Sequence, residues 1–83
     1  MAKRRYVVVL EEGPNNWGAY VPDLWGCVST GKTRQEAEQN IRDALEFHFE
    51  SLRDHNEPIP PPGTWTAEVE VEVPESVQGA AAS

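Results

Sequence analysis

The segment from Tyr20 to Leu45, YVPDLWGCVSTGKTRQEAEQNIRDAL, restricts the fold of this 83-residue chain more than any other part of it. Pro22-Asp23 ends a strand, because proline fixes φ and brings no N–H to a ladder. Gly26-Cys27-Val28-Ser29-Thr30 reads as a short new strand, closed by Gly31. Thr33 then opens a helix. Thr33-x-x-Glu36 is a capping box, in which the hydroxyl accepts from the amide of residue 36 and the Glu36 carboxylate reaches back to the amide of Thr33.

The helix carries one apolar stripe, formed by Ala37, Ile41, Ala44, Leu45, His48 and Leu52, while Arg34, Glu38, Arg42, Glu46 and Glu50 take the wet side. Phe47 falls outside the stripe and Phe49 at its margin. Pro58, Pro60, Pro61 and Pro62 cannot continue a helix, which sets its end near His55 or Asn56 and predicts an extended polyproline connector. Upstream, Arg4–Glu11 reads as a first strand, and Gly13-Pro14-Asn15-Asn16 as the turn into a second, Trp17–Val21. The continuous run Tyr6-Val7-Val8-Val9-Leu10 predicts a strand covered on both faces. Downstream, Thr64–Val73 alternates strictly. Trp65, Ala67, Val69, Val71 and Val73 take one side, and Thr66, Glu68, Glu70 and Glu72 the other.

The expected fold is therefore α+β, in the order β-β-β-α-β. An antiparallel three-stranded meander is joined by a parallel fourth strand through a right-handed crossover, giving the sheet order 3-2-1-4. One helix covers one sheet face. The other is expected to be covered by a second copy or a partner, giving at least a dimer; loops, tryptophans and the connector are the alternative cover. Residues 1–75 form the domain, and 76–83 are expected to remain disordered.

A chain this short buries roughly 60–65% of its unfolded surface, which leaves stability marginal without association. The net charge is −7, and no basic residue follows Arg53, whereas Asp54, Glu57, Glu68, Glu70, Glu72 and Glu75 do. That balance disfavours phosphate backbones and suits a basic protein partner, although solvated faces would look the same. Lys3, Arg4 and Arg5 are too few for a nucleic-acid site. The apolar run behind them is too short for a signal peptide or membrane span, and the lone Cys27 admits no internal disulfide, so a cytoplasmic protein is expected.

Candidate chemistry is sparse. His48 and His55 lie about 10 Å apart along one helix, too far for joint ligation, and neither joins a His-Glu-x-x-His pattern, so no metal or other cofactor is expected. Cys27 with a histidine could form a nucleophile pair, but a small buried thiol at a strand start is the commoner outcome. Asp23 is expected to accept amides of its own turn. The Glu68, Glu70, Glu72 ladder is either a guard against unwanted strand pairing or an acidic docking surface. Trp25, between Leu24 and Gly26, is the tryptophan expected to be exposed and so a candidate interface anchor.

Tyr20-Val21-Pro22-Asp23-Leu24-Trp25-Gly26-Cys27, then Gly31-Lys32-Thr33, Glu36-Ala37, Asn40, Ala44-Leu45 and Ile59-Pro60-Pro61-Pro62, resembles the HicB antitoxin domain. Trp25 stands where that family usually has proline. The resemblance covers about residues 5–73 and implies a partial ribonuclease-H-like fold. It makes Pro22, Asp23, Gly26, Cys27, Gly31, Thr33, Glu36 and Ala37 the structural motif. It implies a non-catalytic protein that binds and neutralises a small basic mRNA-cleaving toxin of the HicA type. HicB antitoxins generally carry a C-terminal DNA-binding module, and ten residues follow Val73 here, so direct DNA binding is not expected. Two other functions stay open: an orphan HicB-like oligomer without a toxin, and a small metal-dependent nuclease. The second is disfavoured because the first strand has no carboxylate in its middle.

Overall fold

The computed structural model describes residues 3–74. Strands β1 (Val9–Glu12), β2 (Trp17–Tyr20) and β3 (Val28–Gly31) form an antiparallel meander in the order β1-β2-β3, followed by helix α1 (Arg34–Asp54). The α+β class and the three-strand meander are as the sequence predicts. Val9 pairs with Tyr20 and Tyr20 with Val28, and the register runs to Glu12 opposite Trp17 and Trp17 opposite Gly31.

The fourth strand is a correction. Residues 65–74 join no sheet and are exposed throughout, so β1 is an edge strand rather than a central one. Alternation of apolar and polar residues assigns the two sides of a strand, but it does not supply the neighbouring edge that would hydrogen-bond to it. The first strand is also shorter than expected. β2 ends before Pro22, which leaves residues 4–8 nothing to pair with on that side. The expected disordered tail, 76–83, lies outside the described residues.

Helix α1 begins as the capping box requires. Thr33 is extended, at φ −126° and ψ 165°, and its Oγ1 accepts from the Glu36 amide at 3.0 Å. The Glu36 carboxylate reaches back one residue further than expected and accepts from the amide of Lys32. The helix ends at His55, after which Asn56 adopts φ 57°, a conformation asparagine tolerates at a helix terminus.

The core lies between helix and sheet. Ala37 and Ile41 meet Ala19, Val21, Leu24 and Cys27, with Tyr6, Val8, Leu10, Trp17, Leu45 and Phe49 packed around them. By strand alternation, Leu10, Ala19 and Ser29 share the helix-facing side, and Val9, Tyr20 and Val28 form an apolar rung across the opposite face. Tyr20 and Val28 are exposed there. The tryptophans do not cover this face: Trp17 packs against the core, and Trp25 and Trp65 are in solvent.

Gly31 fixes how close the helix can come. A Cβ there would lie 2.4 Å from the Ala37 backbone nitrogen, whereas one at Gly18 would meet nothing within 4 Å. Gly31→Ala is therefore expected to cost about 1–3 kcal/mol by forcing β3 from the first helical turn. At about 4–8 °C per kcal/mol for a domain of this size, thermal unfolding will resolve it, with Gly18→Ala as the control that loses nothing.

Candidate functional site

The corner between β2 and β3 is two fused turns. The Leu24 amide donates to the Val21 carbonyl at 3.1 Å, and the Cys27 amide to the Leu24 carbonyl at 3.3 Å. Val21 and Cys27 close the loop through a 3.2 Å bond that continues the ladder. Gly26 has φ 80° at the third position of the second turn, the left-handed conformation a type II turn demands there. The preceding position favours proline but requires none. Trp25 occupies it, at the tip of the loop, with 98% of its surface exposed. Leu24 and Cys27 turn inward and are buried.

Asp23 does not bond within its own turn as expected. Its carboxylate accepts the Gly63 amide at 3.1 Å and the Thr64 hydroxyl at 2.7 Å, forty residues away. These bonds, the Gly63 amide foremost, hold the Asp23 carboxyl below the usual aspartate range. A second tie precedes it: the Tyr6 hydroxyl donates to the Pro60 carbonyl at 2.6 Å. Tyr6 also tilts against Phe49, with ring centroids 5.3 Å apart. The proline connector is thus strapped across one end of the sheet by two polar side chains. Local sequence signals carry neither tie, because both partners lie far along the chain.

Cys27 is buried, and loss of solvent pushes its thiol pKa up. That is the reverse of the lowered pKa a thiolate nucleophile needs. His55 sits at the end of the helix with Nδ1 2.8 Å from the Ser51 carbonyl. Among the described residues, no three His, Cys, Asp or Glu side chains gather into a metal-holding group, and no helix is long and apolar enough to cross a membrane. Of the expected structural motif, Cys27, Gly31 and Ala37 are buried, while Pro22, Gly26, Thr33 and Glu36 lie at the surface as turn and cap residues.

The candidate binding residues do not converge. Trp25 is at the corner, and Glu68, Glu70 and Glu72 lie on the exposed segment after the connector. Among the described residues the one side-chain ion pair is Arg53–Asp54, at 3.4 Å and in solvent, so these three glutamates are unneutralised. A feature the sequence did not announce lies beside β1. An open cleft of about 560 Å³ separates β1 and the residues before it from the helix, with Val8, Leu10, Ile41, Leu45 and Phe49 among its lining.

These features describe a small α+β domain with a thin core, an apolar cleft and an unpaired acidic segment, which is a surface suited to contact with other proteins. The chain belongs to the HicB-like antitoxin family of bacterial toxin–antitoxin systems, whose family profile matches residues 6–79. It is 41% identical over 54 residues to a UPF0150 protein of Thermoplasma acidophilum, covering 65% of this chain and 78% of that one. It is 45% identical over 56 residues to a UPF0150 protein of Synechocystis, covering 66% and 71%. Antitoxin HicB 2 of Photorhabdus laumondii is 38% identical over 77 residues, which cover 88% of this chain but only 52% of that antitoxin.

The Asp23 clamp has a pH signature. Because the folded-state pKa is depressed, the stabilisation is present above the unfolded value of about 3.8 and is lost as pH falls through the folded value. Asp23→Ala is expected to lower the melting temperature near neutral pH, and the gap to wild type to close below about pH 4. The protection of the Gly63 amide against hydrogen exchange will follow the same course.

Proposed function

We propose that this chain is a non-catalytic antitoxin that binds and neutralises a basic, mRNA-cleaving toxin of the HicA type. It acts as a homodimer or homotetramer in the cytoplasm, without a cofactor and without contacting nucleic acid itself. Membership of the HicB-like antitoxin family carries the reading, and the charge distribution supports it. The net charge of −7 and the unneutralised Glu68, Glu70 and Glu72 would attract a cationic ribonuclease surface and speed its capture. Trp25, almost wholly exposed on a hydrogen-bonded turn, supplies the kind of aromatic anchor that dominates binding energies at interfaces.

The cheapest test is genetic context followed by co-expression. A small basic open reading frame beside this one, toxic alone and harmless with this chain, is the expected result. Absence of such a neighbour would favour the orphan oligomer. With toxin in hand, titration calorimetry is expected to show affinity falling as salt rises. Trp25→Ala is expected to cost about 2 kcal/mol or more. Reversing Glu68, Glu70 and Glu72 to lysine together should abolish the salt dependence, and unchanged binding would remove those residues from the interface.

A further inference from the structure

Two tryptophans of this protein stand in solvent, and the fold brings both to the same corner. Trp25 is at the tip of the β2–β3 loop, and Trp65 is 92% exposed. Trp25 lies two residues after Asp23. Trp65 directly follows Thr64, whose hydroxyl donates to the Asp23 carboxylate at 2.7 Å. Across that bond, chain geometry keeps the two tryptophan Cα atoms at most about 20 Å apart. An extended peptide covers that span in about six residues, at roughly 3.3 Å each. The ring pairs among the described residues are Tyr6–Phe49 and His48–Phe49, so neither indole is stacked on another aromatic. Together the two indoles present on the order of 300–500 Å², a size at which an exposed apolar patch commonly marks a contact site.

The surroundings select the partner. Residues 6–31 and 54–83 contain no lysine or arginine, and both tryptophans belong to these stretches. The basic side chains lie elsewhere. Arg4, Arg5 and Arg42 line the cleft, Arg34 begins the helix, and Arg53 pairs with Asp54 at its end. Lys32 follows β3 at the end away from the corner. Negative groups are close to the indoles. The Asp23 carboxylate joins the two stretches, and Glu68, Glu70 and Glu72 follow Trp65 unneutralised. An indole face is the negative pole of its ring and the best of the aromatic faces for a cation. A purely apolar partner would gain from the rings but would bury carboxylates without a counter-charge.

We propose that Trp25 and Trp65 form one recognition site for cationic side chains, arginine above lysine, on an extended segment of a protein partner. A guanidinium lies over each indole face, and its planar N–H groups stay free for the glutamates that follow Trp65. Asp23 is the positioning residue: by holding Gly63 and Thr64 it keeps Trp65 at the corner that carries Trp25. The inference rests on the antitoxin reading for the identity of the partner, and on charge and geometry for the chemistry that partner must carry.

The test uses the full chain and no toxin. Its probe is a short oligoarginine peptide, with the same peptide carrying neutral citrulline in place of arginine as the control. In heteronuclear NMR the indole N–H signals of Trp25 and Trp65 are expected to move together as the arginine peptide is added. The signal of Trp17, which packs on the core, should stay, and the citrulline peptide should move none. Trp25→Ala and Trp65→Ala remove no charge and no core contact, so each should leave thermal unfolding unchanged. Each should weaken arginine-peptide binding about two- to fivefold, with Trp25→Phe and Trp65→Phe keeping part of the affinity. Their effects should be coupled in the wild-type background and simply add in Asp23→Ala, where the clamp is gone. Equal binding of the citrulline peptide, arginine binding indifferent to both tryptophans, or additive effects in the wild type would each overturn the site. A toxin neutralised by a chain whose indoles ignore the peptide would keep the antitoxin role and remove this inference. Peptide binding through both indoles, with no toxin beside the gene, would keep the site and remove that role.

Discussion

Helix α1 can sit closely on the sheet because small residues meet where it crosses. Ala37 lies against the end of β3, where Gly31 leaves no Cβ in the way, and Ala19 and Cys27 present short side chains beneath Ile41. This contact sets the height of the helix above the sheet, and everything else is arranged around it. The capping box fixes the first turn at the right place on β3, and the fused turns of the β2–β3 corner deliver Leu24 and Cys27 to the same spot. The contact is tight but small. Of the six apolar residues buried among those described, only Val21, Leu24 and Ile41 are larger than alanine or cysteine.

A core of that size explains why β1 is only half covered. Tyr6 through Leu10 form a strongly apolar run, but none of the five is fully buried. The helix crosses nearer β3 and leaves a cleft along β1, while the opposite face carries the Val9–Tyr20–Val28 rung without a second layer. Marginal burial is common in domains this short, and association is the usual remedy. Tyr6 and Asp23 hold the connector with side-chain bonds rather than with apolar packing, so it is positioned without being absorbed into the core.

Local signals were legible and distant ones were not. The helix from Thr33 to His55, its buried Ala37 and Ile41, the exposed Phe47 and the turn at Pro22-Asp23 follow from capping, periodicity and backbone restriction within a few residues. The partners of Asp23 did not follow, because nothing near Asp23 names Gly63 or Thr64. Trp25 stood out as an exposed aromatic, and the turn geometry gives the reason: its position has no structural need for a large side chain.

The sequence by itself determined the three-stranded meander, the capped helix, the corner and the family, because each depends on residues that are neighbours or on a spaced motif. It also determined that residues 65–73 have one apolar and one acidic side. Only the tertiary structure decided that, among the described residues, this segment joins no sheet, that β1 is an edge strand, and that Asp23 holds the connector at Gly63. A strand's alternation is a property of its side chains. Its hydrogen-bonded neighbour is a property of where the rest of the chain leaves an edge open, and no local pattern encodes that.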